Sequence, residues 1–318
     1  MPAITPFDLD PANSGIDRFT AYWYATLCKL VYQPATWPRA AVWALGGATA
    51  VQTVGITGTI IPSCDVGLFP ANRAVCAFRG TTSAIEGALQ IVGATLFPRA
   101  PWAGFVGNYH SAITELTASF VFPVLTAAGV TNVAWCGHSL GGSVAVLIAD
   151  LVIDQAVALT DCICTLAAPR SGNLTFATSQ TYRHLRLTNA GDAIPMLPPS
   201  TNSVMDVFLW LPAPIPLTSF WHAGTRCHLF YDGSAAFPPD QSTWADGSAI
   251  LLNVANDAER WLQSHSTDEY ARRVRIGIPV DFNVVDAAWP GLKELDQWWA
   301  DANATPPAGT WLERVFCP

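Results

Sequence analysis

The chain has 318 residues and a formal net charge of -8; 51% of it is hydrophobic, with 13 Trp, and only 13% is charged, against roughly 25% in ordinary soluble domains. Such a length can build a substantial core as one large domain or two average ones. Net negative charge without a Lys/Arg cluster argues against nucleic acid, or an anionic membrane gripped by basic residues, whereas scarce charge and abundant Trp suit an apolar substrate surface.

The first 17 residues carry acids and prolines but no basic segment followed by an apolar core, so they do not read as a secretory signal. The expectation is a cytoplasmic chain, or one exported by a signal-independent route. Residues 40–61 and 207–224 are long and uncharged, but the first holds four glycines amid Thr and Gln and the second has Pro212, Pro214 and Pro216. Both patterns oppose a membrane helix. A soluble protein without a transmembrane segment is expected.

Of the eight cysteines, several lie inside apolar runs, and without a signal peptide buried free thiols are expected over a disulfide framework. Cys162-Ile163-Cys164 has the wrong spacing for a C-x-x-C metal hook. Neither a metal nor a cofactor is expected.

In chain order, Ile16, Phe19, Trp23, Leu27 and Leu30 recur at helical spacing and predict an opening helix. Strand-like runs follow at 41–45, 51–61 and 73–78, the last leading into Arg79-Gly80-Thr81-Thr82. Ser83 and Glu86 form a capping box for a short helix carrying Ile85, Ala88, Leu89 and Val92. A Pro- and aromatic-containing loop over 93–104 precedes a helix in which Ile113, Leu116, Phe120 and Val124 align.

Residues 130–136 then read as a buried strand, and Val144, Leu147, Ile148 and Leu151 as one face of a helix. Between them stands Gly137-His138-Ser139-Leu140-Gly141. Strand, glycine-flanked turn and helix is the setting in which G-x-S-x-G forms a nucleophile elbow, exposing the Ser139 hydroxyl beside the Leu140 amide. Further strands are expected at 162–167, 182–187 and 225–231, and a helix at 249–262. Alternating strands and helices imply an α/β fold with a mostly parallel central sheet and helices on both faces.

A serine hydroxyl needs a histidine base oriented by a carboxylate. In α/β hydrolases the acid and then the histidine follow the serine, leaving His222, His228 and His265. His228 lies within a strand and His222 in a Trp-rich loop; His265 precedes a second capping box, Ser266 to Glu269, and is favoured. Asp192, just past a strand, is favoured as the acid over Asp232, whose Asp-Gly pair marks a turn, and over Asp150 and Asp154 on the helix leaving the elbow. Gly80-Thr81 follows an earlier strand, where Thr81 is expected to join Leu140 as an oxyanion donor.

Four stretches together resemble the class 3 lipases, α/β hydrolases of the fungal lipase and plant acylhydrolase type. They are Phe78-Arg79-Gly80-Thr81, Gly137 to Gly142, Pro169 to Asn173 with Phe176-Ala177, and Asn189 to Pro195 with Leu197-Pro198-Pro199. The resemblance spans 78–270 and implies Ser139 as nucleophile, Asp192 as acid, and Thr81 and Leu140 as oxyanion donors. His265-Ser266-Thr267-Asp268-Glu269-Tyr270 is similar to the plant-type H-x-x-x-x-Y segment that carries the histidine. The implied protein is a single α/β-hydrolase domain over 1–318, with a short helical lid at 82–97, an unmatched apolar insertion at 200–224 and a C-terminal extension at 279–318. Its expected partner is a lipid or ester substrate, met at a lipid–water interface. Lipase, phospholipase A1 and short-chain or polyester esterase share such residues; an acyltransferase or an inactive lipid-binding relative are the remaining readings.

Overall fold

The computed structural model describes residues 16–33, 37, 39–55, 63–81, 96–192, 194–197, 220–236, 263–276, 278 and 292–304. Helix α1 (Arg18–Leu30) starts where the Asp17 side chain accepts from the Thr20 amide at 2.7 Å, satisfying a donor that the first turn leaves open. Its apolar residues bury against the sheet. Lys29, also buried, pairs with Asp268 at 3.0 Å.

The main sheet has eight strands in the order β1-β2-β3-β6-β7-β8-β9-β10. They are β1 (Ala50–Val54), β2 (Cys64–Phe69), β3 (Arg73–Phe78), β6 (Asn132–His138), β7 (Leu159–Leu166), β8 (Arg183–Asn189), β9 (Thr225–Leu229) and β10 (Ala235–Ala236). From β3 through β6, β7 and β8 to β9 the pairing is parallel; β1, β2 and β10 join antiparallel at the two sides. The parallel strands therefore deliver Phe78, His138, Leu166, Asn189 and Leu229 to one edge. That edge is where open α/β sheets bind their ligands.

Strand alternation splits the core in two. In β6, Ala134 and Cys136 face the layer that holds Leu27, Trp43, Tyr270 and Val274, while Val133 and Trp135 face Phe122, Leu147 and Ile148. The second layer belongs to helices α3 (Asn108–Ala127) and α4 (Leu140–Asp154). The first belongs to α1 and, near the C-terminus, α6 (Thr267–Ile276) and α7 (Leu292–Ala304). Both faces of the sheet are thus covered. No helix among the described residues is long and apolar enough to cross a membrane, and the seven described cysteines are buried free thiols.

Three segments differ from the sequence reading. The run at 41–45 is not a strand but part of helix α2 (Arg39–Leu45), in which neighbouring Val42 and Trp43 are buried while Ala41 and Ala44 are exposed. Ala and Leu favour helix, and a run this short carries no decisive period. Strand β2 went unread because Asp65 and Gly67 interrupt its apolar pattern. Both have tertiary reasons: a Cβ at Gly67 would sit 2.3 Å from the Trp43 ring, and the fully buried Asp65 binds Arg39 at 2.6 Å and accepts from Thr53 at 2.7 Å. The loop at 93–104 contains β4 (Leu96–Pro98), paired antiparallel with β5 (Phe105–Gly107). A short helix, α5 (Leu174–Ser179), is capped by Asn173, which accepts from the Phe176 amide at 3.0 Å.

The Arg39–Asp65 pair supplies a stability test. Asp65→Ala strands a guanidinium whose side chain is only 13% exposed, which costs about 3 to 5 kcal/mol. Urea unfolding reads this directly, and a midpoint equal to wild type would contradict it. The helix expected at 249–262, the Ser83 to Glu86 capping box, most of the lid segment 82–97 and most of 200–224 and 279–318 lie outside the described residues.

Candidate active site

Ser139 sits at the junction of β6 and α4 with φ 56° and ψ -127°, a left-handed state that a residue with a side chain adopts only under constraint. The constraint is local. A Cβ at Gly137 would lie 2.1 Å from the Gly141 carbonyl oxygen, so only glycine lets the turn close this tightly. The Ser139 amide also donates to the Leu166 oxygen at 2.9 Å, tying the turn to β7. Leu140 is the first residue of α4, where an amide has no intrahelical acceptor.

Around this serine the structure gathers residues far apart in sequence. His265 Nε2 lies 3.1 Å from Ser139 Oγ, and its Nδ1 lies 3.1 Å from each oxygen of Asp192. All three residues are buried. A carboxylate opposite Nδ1 holds the ring proton there, leaving the Nε2 lone pair directed at the hydroxyl.

Asp192 is itself held from two further sides. Its Oδ1 accepts from the Ile194 amide at 3.0 Å and its Oδ2 from the Tyr270 hydroxyl at 2.8 Å. Tyr270 accepts in turn from the Asn189 amide at 3.0 Å, while the Asn189 side chain donates to the Ser264 carbonyl at 2.9 Å. Burial, and then the Asp192 charge, push the Tyr270 pKa well above its ordinary value, so this phenol stays protonated and donates. The end of β8 thus positions both Asp192 and the turn before His265. The Ser266 hydroxyl, accepting from the Glu269 amide at 3.2 Å, starts α6 immediately after His265.

Thr81 is buried and directly follows Gly80, at which a Cβ would come within 2.8 Å of the Ser139 Cβ. It therefore lies at the same sheet edge as the Leu140 amide.

The rival residues are engaged elsewhere. His222 bonds the Pro195 carbonyl, and burial followed by the nearby Arg186 and Arg170 pushes its pKa well down. His228 meets Thr188 Oγ1 at 3.0 Å, and Asp232 accepts from the Ser234 amide and hydroxyl within its own exposed turn. Asp150 accepts from Gln180 and Tyr182 at 2.7 and 2.8 Å.

The sequence reading assigned no role to Tyr270, Asn189, Tyr32 or His138. Tyr270 closes the H-x-x-x-x-Y segment, a signal already present. Tyr32 had none, because its contact with the elbow exists only in three dimensions.

The strand order and the edge that carries this cluster are those of an α/β-hydrolase-type fold. Residues 75–202 match the class 3 lipase family, and that match supports a lipase-type carboxylic ester hydrolase. The fold is similar to that of a triacylglycerol lipase whose catalytic centre is described as a serine protease triad, at 20% identity and a TM-score of 0.55, covering 75% of this chain and 93% of that one. It is also similar to Lip2 lipase from Yarrowia lipolytica, at 19% identity and TM-score 0.54, covering 80% and 95% of the two chains. A lipase from Rhizopus microsporus var. chinensis gives 19% identity, TM-score 0.53 and coverage of 80% and 92%. Comparison with curated proteins gives no match.

Proposed function

We propose that the chain is a lipase that cleaves acylglycerol or related fatty-acyl esters through an acyl-enzyme at Ser139. The observation that carries this reading is the single His265 ring within 3.1 Å of both the Ser139 hydroxyl and the Asp192 carboxylate. His265 Nε2 takes the proton as Ser139 Oγ attacks the ester carbonyl carbon. The resulting oxyanion accepts from the Leu140 amide and from Thr81. Collapse breaks the acyl C–O bond, and His265 returns the proton to the leaving alkoxide, releasing the alcohol. Water then gives a proton to His265 and attacks the acyl carbon; the bond from that carbon to Ser139 Oγ breaks, His265 returns the proton to Oγ, and the carboxylic acid leaves. Asp192 keeps the base in the right tautomer and stabilises its cationic form. Neither metal nor cofactor enters these steps.

The substrate class is tested with p-nitrophenyl esters of increasing chain length, emulsified triglyceride and phospholipid. Turnover of long-chain esters and emulsion is expected; activity confined to phospholipid or to short esters would replace lipase by phospholipase A1 or esterase. The base is tested by His265→Ala beside His222→Ala. The first is expected to lose at least about 10³-fold in kcat, while the second keeps most activity. The reverse order would remove His265 from the mechanism.

A further inference from the structure

The elbow histidine, which lies outside the proton path above, makes two directional hydrogen bonds. His138 is buried, its Nδ1 lies 2.9 Å from the Tyr32 hydroxyl, and its Nε2 lies 2.6 Å from the main-chain carbonyl of His265. Tyr32 Oη also accepts from the Gly80 amide at 2.8 Å. These contacts settle the protons. The His265 carbonyl can only accept, so the neutral imidazole carries its proton on Nε2 and donates it there, which leaves Nδ1 to accept from the Tyr32 hydroxyl. Burial, then His265 and Lys29, pushes the His138 pKa well below its ordinary value, which keeps the ring neutral and this tautomer intact.

We propose that His138 is a positioning residue that fastens the main chain of His265 to the nucleophile elbow, and that Tyr32 holds its tautomer while joining the same fastening to Gly80, beside Thr81. The inference rests on Ser139 and His265 being nucleophile and base. Under it, one chain of hydrogen bonds runs from the strand that presents Thr81, through α1's flank, to the elbow and then to the base. The rings of His138 and His265 also lie close, with centroids 4.8 Å apart. The other arrangement of protons fails: an Nδ1–H tautomer would turn the Nε2 lone pair against the His265 carbonyl oxygen. Gly80 is part of the device, because a Cβ there would approach the Tyr32 hydroxyl and the His138 carbonyl to 2.5 Å.

Glutamine and asparagine separate the two arms. A Gln amide N–H reaches the place of Nε2, whereas an Asn side chain reaches only that of Nδ1. The purified full-length protein is assayed on soluble p-nitrophenyl butyrate as wild type, His138→Gln, His138→Asn and Tyr32→Phe, with a thermal melt of each. His138→Asn is expected to lower kcat about ten- to a hundred-fold with KM within about twofold, the size of loss that a small misplacement of a catalytic group produces. His138→Gln is expected to restore kcat to within about threefold of wild type, with Tyr32→Phe between the two. Equal losses in the Gln and Asn variants, or wild-type kcat in all three, would overturn the proposal. Failure of the underlying reading is distinguishable: wild type and Ser139→Ala would then turn over the ester equally.

Discussion

Ser139→Ala is expected to lower kcat about 10⁶-fold, the scale of loss when a serine nucleophile is removed from a hydrogen-bonded triad. At about 1.4 kcal/mol per decade, that is roughly 8 kcal/mol of barrier. The fold should not share the loss. Alanine retains the Cβ that Ser139 already carries at φ 56°, so the strain of the elbow is neither relieved nor increased. Only the contact to His265 Nε2 at 3.1 Å disappears. Stability should change by less than about 1 kcal/mol, the net worth of one hydrogen bond. Burst labelling with a p-nitrophenyl phosphonate separates this from general damage: the wild type should incorporate one phosphonyl group per chain and the variant none. Residual turnover within tenfold of wild type would remove Ser139 from the mechanism.

What the sequence disclosed follows the range of the interactions involved. The elbow is short-range: Gly137, Gly141 and the apolar runs on either side specify strand, turn and helix within a few residues. Asp192 was legible by position, because acids just beyond a parallel strand lie at the ligand edge. His265 stood out through the Ser266 to Glu269 capping box, which fixes where a helix begins. Helix α2 and strand β2 were illegible for the opposite reason. Their identities depend on each other, Trp43 packing on Gly67 and Arg39 on Asp65 across the fold. Tyr32 shows the same limit at the candidate site, since no local pattern marks a phenol whose partners are Gly80 and His138.

Asp192→Asn is expected to reduce kcat about 10⁴-fold, as loss of the tautomer-setting carboxylate does in other serine hydrolases, with KM little changed. The surroundings of Asp192 explain why an amide cannot substitute. A carboxylate accepts at both oxygens, and here three donors converge on it: His265 Nδ1, the Ile194 amide and the Tyr270 hydroxyl. An asparagine NH2 placed at the Oδ1 position would face the Ile194 N–H, donor against donor. Placed at the Oδ2 position, it would face the proton of Tyr270, whose oxygen is already accepting from the Asn189 amide. In either orientation the NH2 also lies beside His265 Nδ1, favouring the tautomer whose proton sits on Nε2. That nitrogen could then no longer accept the Ser139 proton. Asp232→Asn is the control, because the Asp232 carboxylate accepts from Ser234 in an exposed turn. It should keep full kcat; a larger loss at Asp232 than at Asp192 would transfer the role of the acid to the other strand end.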